Sequence, residues 1–150
     1  MNKEAQKKEL KKTILEGTVA VFNKKGFKFT MDDVAKELSI SKKTIYIIFD
    51  DKESMLMEMV DYVFDGIKST ESAILEDENL STLEKLKKVM GALPENYKHA
   101  DLKLMFSLKS KYPVIYERVE QRLETGWEDT IGLLEKGMQE GSIRPINIPR

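Results

Sequence analysis

The chain has 150 residues, enough for one sizeable core or for a small unit fused to a larger one. Its formal net charge of −1 argues against a protein that coats nucleic acid over its whole surface, and the absence of cysteine excludes disulfides, thiol chemistry and cysteine-based metal sites. The charge is unevenly placed: residues 1–52 hold 12 lysines and 8 acidic residues, a net of +4, while residues 53–150 carry a net of −5, so only one end is expected to face phosphate.

Helical periodicity dominates from end to end, and the pattern predicts an all-α fold. Leu10, Ile14, Thr18 and Phe22, with Leu15 and Val19 beside them, form one stripe of a first helix that Gly26 terminates. Thr30 caps a short amphipathic second helix through Leu38. Ser39-Ile40-Ser41 is a turn, and Ser41 caps a third helix, Lys42 to Phe49. Asp51 caps a fourth that carries Met55, Met59, Val63 and Ile67 and either continues through Ile74 or stops near Gly66. Ser81-Thr82-Leu83-Glu84 is a capping box opening a fifth, with Leu83, Leu86, Met90 and Leu93 inward until Pro94 ends or kinks it. A sixth segment, about 98–111, precedes Pro113, and one long last helix is expected from Val114 to Glu140, where Gly141 stops it. No apolar run approaches the length that spans a bilayer, and the charged N-terminus lacks the apolar core of a secretory signal, so a soluble cytoplasmic protein is expected.

The second and third helices are the most informative part. Two short helices joined by a tight turn form a DNA-reading unit whose second helix enters the major groove. Lys42, Lys43, Thr44 and Tyr46 crowd the start of that helix, where phosphates and base edges would be met, while Ile45, Ile48 and Phe49 fall on the inward side. Ile47, if it points outward, meets a thymine methyl or a sugar. The hydroxyl of Thr30 either caps its own helix or reaches DNA.

The wider pattern resembles the TetR family of one-component transcriptional regulators over residues 10–56. Ile14-Leu15, Phe22 and Gly26-Phe27 match the family's first helix and its end, Thr30 and Val34-Ala35 its second helix, Ser41, Thr44-Ile45-Tyr46 and Phe49 its third, and Lys52-Glu53 the opening of its fourth. Three positions depart from the pattern: Ser39 replaces a usual glycine, Ile48 a frequent histidine, and Gly17-Thr18 the usual small alanines. The resemblance implies a helix–turn–helix DNA-binding module at residues 1–51 and a helical effector-binding and dimerisation module at 52–150. It implies DNA contacts from Thr30, Ser41, Lys42, Lys43, Thr44, Tyr46 and Ile47, and a phosphate contact from Lys52. The expected partners are double-stranded DNA carrying a palindromic operator, a small apolar or aromatic effector, and a second copy of the chain. The action it implies is repression relieved by the effector. Family members usually continue with two further helices beyond the position of Gly141, so either the chain is shortened or dimerisation uses other surfaces, of which the Val114–Glu140 helix is the leading candidate.

No catalytic or metal site can be assembled from the sequence, and no cofactor is expected. His99, the single histidine, has no partner at ligand spacing, and Glu76-Asp77-Glu78 reads as a solvated loop. Methionines and aromatics gather after residue 53, and a thioether or ring wall suits an apolar ligand. Met59, Tyr62, Met90, Tyr97, Met105 and Trp127 are the candidates, although the same residues at helical spacing also serve as ordinary core. Two readings of another class stay open at this point: a helical protein–protein interaction module, and a ligand carrier that keeps the fold without operator binding.

Overall fold

Local capping chemistry explains why the chain breaks into helices where it does. In a computed structural model that describes residues 2–96 and 102–148, α1 spans Lys3–Lys25, with the Asn2 side chain accepting from the Ala5 N–H at 2.7 Å. Gly26 ends it at φ 65°, and a 3-10 turn over Gly26–Lys28 leads to Thr30. The next helix, α2 (Met31–Leu38), opens with a reciprocal capping box. The Thr30 hydroxyl accepts from the Asp33 N–H at 3.2 Å, and the Asp33 carboxylate accepts from the Thr30 N–H at 2.8 Å. Lys25 adds an ion pair at 2.8 Å, and it leads the causes that hold the Asp33 pKa down at about 2. Helix α3 runs over Lys42–Ile48, capped by Ser41, and α4 over Lys52–Glu76, capped by Asp51. The remaining helices are α5 (Thr82–Asn96), α6 (Leu102–Phe106), α7 (Leu108–Lys111), α8 (Pro113–Glu124) and α9 (Glu128–Glu140).

One main core joins both ends of the chain. Phe22 from α1, Phe29, Val34 from α2, Ile45 and Phe49 around α3, and Met55, Leu56, Met59 and Val60 from α4 are all buried in the same cluster as Met105, Leu108, Ile115 and Val119. A smaller cluster of Leu86, Val89 and Leu133 seals α5 against α9. Helix α4 is the common member, packing on α1, α5 and α8. Across α1 and α4, Tyr62 donates its hydroxyl hydrogen to Glu16 at 2.9 Å, and Lys11 pairs with Glu58. Gly17 is buried where α1 crosses α2: a Cβ there would stand 2.7 Å from Leu38 Cγ, so the departure from alanine permits the close approach.

Of the two courses left open for the fourth helix the longer holds, and it reaches Glu76. Several other expectations change. The fifth continues to Asn96, past Pro94, and Val89 rather than Met90 faces inward; Leu93 is outside the described side chains. The single helix expected from Val114 to Glu140 is two, separated at Thr125-Gly126-Trp127. The apolar spacing runs through the break, but glycine and threonine are weak helix formers, and the two halves pack on different partners, α8 on α4 and α9 on α5.

Ser39 closes α2 in the left-handed region at φ 54°, ψ 42°, which costs an L-residue about 1–2 kcal/mol. Ser39→Gly is expected to stabilise the protein by about 0.5–1 kcal/mol, raising the melting temperature by a few degrees; a lowered melting temperature would contradict the turn geometry. Phe49, 1% exposed, predicts the opposite sign: Phe49→Ala should cost about 3–5 kcal/mol in a denaturant titration. Because the Asp33 pKa is depressed when folded, its contribution is complete above its unfolded pKa of about 4 and is lost as pH falls through about 2. The α2 cap should therefore loosen over that window, and Asp33→Asn should flatten the acid limb of the stability profile.

Candidate nucleic-acid interface and interhelical cleft

The third helix is short, so its orientation depends on a few anchors. Ile45 and Phe49 are buried and Ile48 is half-buried, which fixes one side against the core. Ser41 Oγ accepts from the Thr44 N–H at 3.1 Å and lies 2.9 Å from Thr44 Oγ1, so these two hydroxyls first organise the helix start. The opposite side presents Lys42, Lys43, Tyr46 and Ile47, with Tyr46 47% and Ile47 59% exposed. Lys42 reaches back across the turn to Asp32 at 3.3 Å, an exposed pair that a phosphate can displace at little cost. The outward set is therefore cationic and hydroxyl-bearing around one apolar side chain. Thr30 is exposed, and its oxygen serves the α2 cap.

Lys52 sits differently from the expectation of a phosphate anchor. Its ammonium donates to the backbone carbonyls of Phe27 and Phe29 and lies 4.4 Å from the Phe29 ring centroid. Burial, followed by the nearby Lys111, lowers its pKa. Within the turn the Gly26 carbonyl accepts from the Phe29 N–H, and the long side chain at the first position of α4 reaches the carbonyls of Phe27 and Phe29. Lys52 thus ties the end of α1 to the start of α4, beside Tyr112, whose ring packs edge-on against Phe27 at 6.4 Å.

A cleft of about 440 Å³ opens between α4, α8 and the α8–α9 junction. Phe64, Ile67, Leu123 and Trp127 supply apolar wall, and Asp65, Lys68, Glu71, Arg118, Arg122 and Thr130 supply polar groups. One side is closed by a ladder: Arg118 pairs with Asp61 at 2.8 Å, and Arg122 pairs with Asp65 at 2.7 Å and with Asp61 at 3.5 Å. On the other, Lys68 pairs with Asp129 at 2.8 Å.

Of the ligand candidates that lie among the described residues, only Trp127 lines this cleft, half-exposed at the break before α9. Met59 and Met105 are fully buried in the main core, Met90 is 59% exposed, and Tyr62 packs on the core with its hydroxyl committed to Glu16. Tyr97 and His99 lie outside the described residues. The sequence reading missed Phe64, Ile67, Lys68, Glu71, Arg118, Arg122, Leu123 and Thr130. A usable signal was present in α4, where Val60, Phe64, Ile67 and Glu71 share one stripe and a carboxylate occupies an apolar register.

The geometry separates two kinds of lysine. Lys43→Ala and Tyr46→Ala should weaken DNA binding by about 1–3 kcal/mol each, measured by fluorescence anisotropy, with helix content unchanged by circular dichroism. Lys52→Ala should instead lower the melting temperature while leaving the salt slope of DNA binding near wild type. A shallower slope with unaltered stability would restore Lys52 as a phosphate anchor.

The family profile described as bacterial regulatory proteins, tetR family, matches residues 14–59, from the buried face of α1 to the first half of α4. The HTH-type transcriptional regulator YvaF of Bacillus subtilis is 31% identical over 136 residues, covering 91% of this chain and 72% of YvaF. The chain spans smaller shares of other curated relatives, 20% of YuxN and 37% of YerO from the same organism. Among solved structures, the TetR family regulator PfmR from Thermus thermophilus superposes with a TM-score of 0.69 at 25% identity, covering 89% of this chain and 75% of PfmR. FadR from Bacillus subtilis, solved with stearoyl-CoA, shares the fold with a TM-score of 0.65 at 20% identity, covering 91% of this chain and 75% of FadR. With the reading helix, its caps and its anchoring core all in place along this matched stretch, the chain belongs to the TetR family of helix–turn–helix transcriptional regulators.

Proposed function

We propose that this protein is an operator-binding repressor of the cytoplasm, acting as a homodimer and released from DNA when a small molecule enters the cleft between α4 and α8. The observation that carries the reading is the outward face of α3, where Lys42, Lys43, Tyr46 and Ile47 stand away from a core that fixes the helix behind them. Lysines on such a face gain affinity by displacing counterions from the phosphate backbone, and Tyr46 and Ile47 meet base edges or thymine methyls. Residues 1–51 then constitute the reading module and residues 52–150 the sensing and dimerisation module, with α4 belonging physically to both.

Two reading helices address a palindrome only when their separation matches one helical repeat, about 34–36 Å. A ligand that prefers one arrangement of α4 and α8 changes that separation, provided it binds the two arrangements with different affinity. A cleft of about 440 Å³ with an apolar wall fits a small organic effector.

Selection of bound genomic fragments followed by footprinting is expected to yield a palindrome protected on two successive major grooves. Affinity should fall with salt at a slope of roughly −0.9 per phosphate contact, and Lys42→Ala with Lys43→Ala should together reduce the slope by about two per half-site. Sedimentation over a concentration series should show a dimer at the concentrations where the operator is occupied. Binding by a strict monomer, or no sequence preference over bulk DNA, would overturn the reading.

A further inference from the structure

The polar inventory of the cleft leaves one group without a counterpart. Its three cations are each matched: Arg118 by Asp61, Arg122 by Asp61 and Asp65, and Lys68 by Asp129. The acid remaining is Glu71, which lines the cleft and is 4% exposed, and among the described residues no hydrogen bond or ion pair reaches its carboxyl. Burying a carboxyl without a partner is costly, and a core position of α4 would be better filled by leucine for stability alone. Burial pushes the Glu71 carboxyl above its ordinary range; Lys68, one turn away, opposes the shift, and Asp129 reinforces it. The stem of Glu71 continues the stripe of Phe64 and Ile67, and Trp127 stands at the same cleft, half-exposed. An indole face and a desolvated carboxylate are the two side-chain chemistries that attract an organic cation.

We propose that the effector is an amphiphilic organic cation, an amine or quaternary ammonium that pairs with Glu71 while its apolar body lies against Phe64, Ile67, Leu123 and Trp127. This rests on the reading of the cleft as the effector site and names the chemistry that site selects. An anionic ligand finds cations already paired with Asp61, Asp65 and Asp129, and its own charge would oppose ionisation of the buried Glu71 where a cation favours it. A neutral ligand of the same shape gains the apolar contacts but leaves Glu71 unpaired.

The single tryptophan of the chain, Trp127, reports on the cleft directly. The full-length protein is titrated at neutral pH with 4-phenylbutylamine, 4-phenylbutanol and 4-phenylbutanoate, exciting at the red edge where the phenyl ring is silent. The expected result is saturable quenching by all three, or by the amine and alcohol, with the amine about tenfold tighter than the alcohol and the carboxylate weakest. In Glu71→Gln, checked for native melting, the amine and alcohol should bind within about twofold of each other. In a wild-type melt, the amine should raise the melting temperature more than the alcohol at equal concentration. An amine that binds no tighter than the alcohol in wild type, or a preference that survives in Glu71→Gln, overturns the cation proposal while the cleft remains a ligand site. If none of the three quenches Trp127 or shifts the melt, the cleft reading fails and the cation proposal falls with it.

Discussion

The structure depends on one helix being continuous. From Lys52 to Glu71 the backbone of α4 rises about 28 Å without interruption, so the two ends are mechanically one body. Its first residue is bonded to the carbonyls that follow α1, and its middle is buried against both α1 and α8. Its last turns line the cleft. The core makes the arrangement stiff, because Met55, Leu56, Met59 and Val60 are fully buried and a close-packed interior moves between discrete packings rather than deforming smoothly. One continuous backbone thus runs from the cleft to Lys52 and the carbonyls that follow α1.

The second path between the two regions is aromatic. Phe27, just after α1, packs against Tyr112 at the α7–α8 corner, and Lys52 lies close to both Phe29 and Tyr112. The start of α4, the turn after α1 and the start of α8 thus meet at one joint. Ion pairs distribute the load elsewhere: the ladder of Asp61 and Asp65 with Arg118 and Arg122 repeats at four-residue spacing on both helices and fixes their relative register. Such partly exposed pairs add little stability individually, but as a repeated set they favour one alignment of α4 on α8 over its neighbours.

The reading face was legible early because its requirements are local. A capping hydroxyl at Thr30 and at Ser41, apolar residues at Ile45 and Phe49, and cations between them fix what a short helix hides and what it shows. The cleft was not legible in the same way. The methionines singled out for it divide between core and surface, since Met59 and Met105 are buried and Met90 is exposed. Residue type carries no information on which neighbour will lie opposite. The break at Thr125-Gly126-Trp127 escaped for a related reason: the apolar spacing is continuous through it, and only the separate packing of α8 on α4 and α9 on α5 requires the chain to turn.

The sequence by itself determined the all-α class, most of the caps, the family and the outward face of α3, all of which follow from interactions within about four residues along the chain. The tertiary structure decided the matters that need two distant segments at once. It drew Lys52 onto the carbonyls of Phe27 and Phe29, set Arg118 and Arg122 against Asp61 and Asp65, and left Glu71 in the same cleft as Trp127 with no ion pair among the described residues. The physical reason is that burial and charge pairing are properties of a packed neighbourhood. A carboxylate in an apolar stripe can be noticed in the sequence, but whether it is paired depends also on helices that begin 42 or more residues away along the chain.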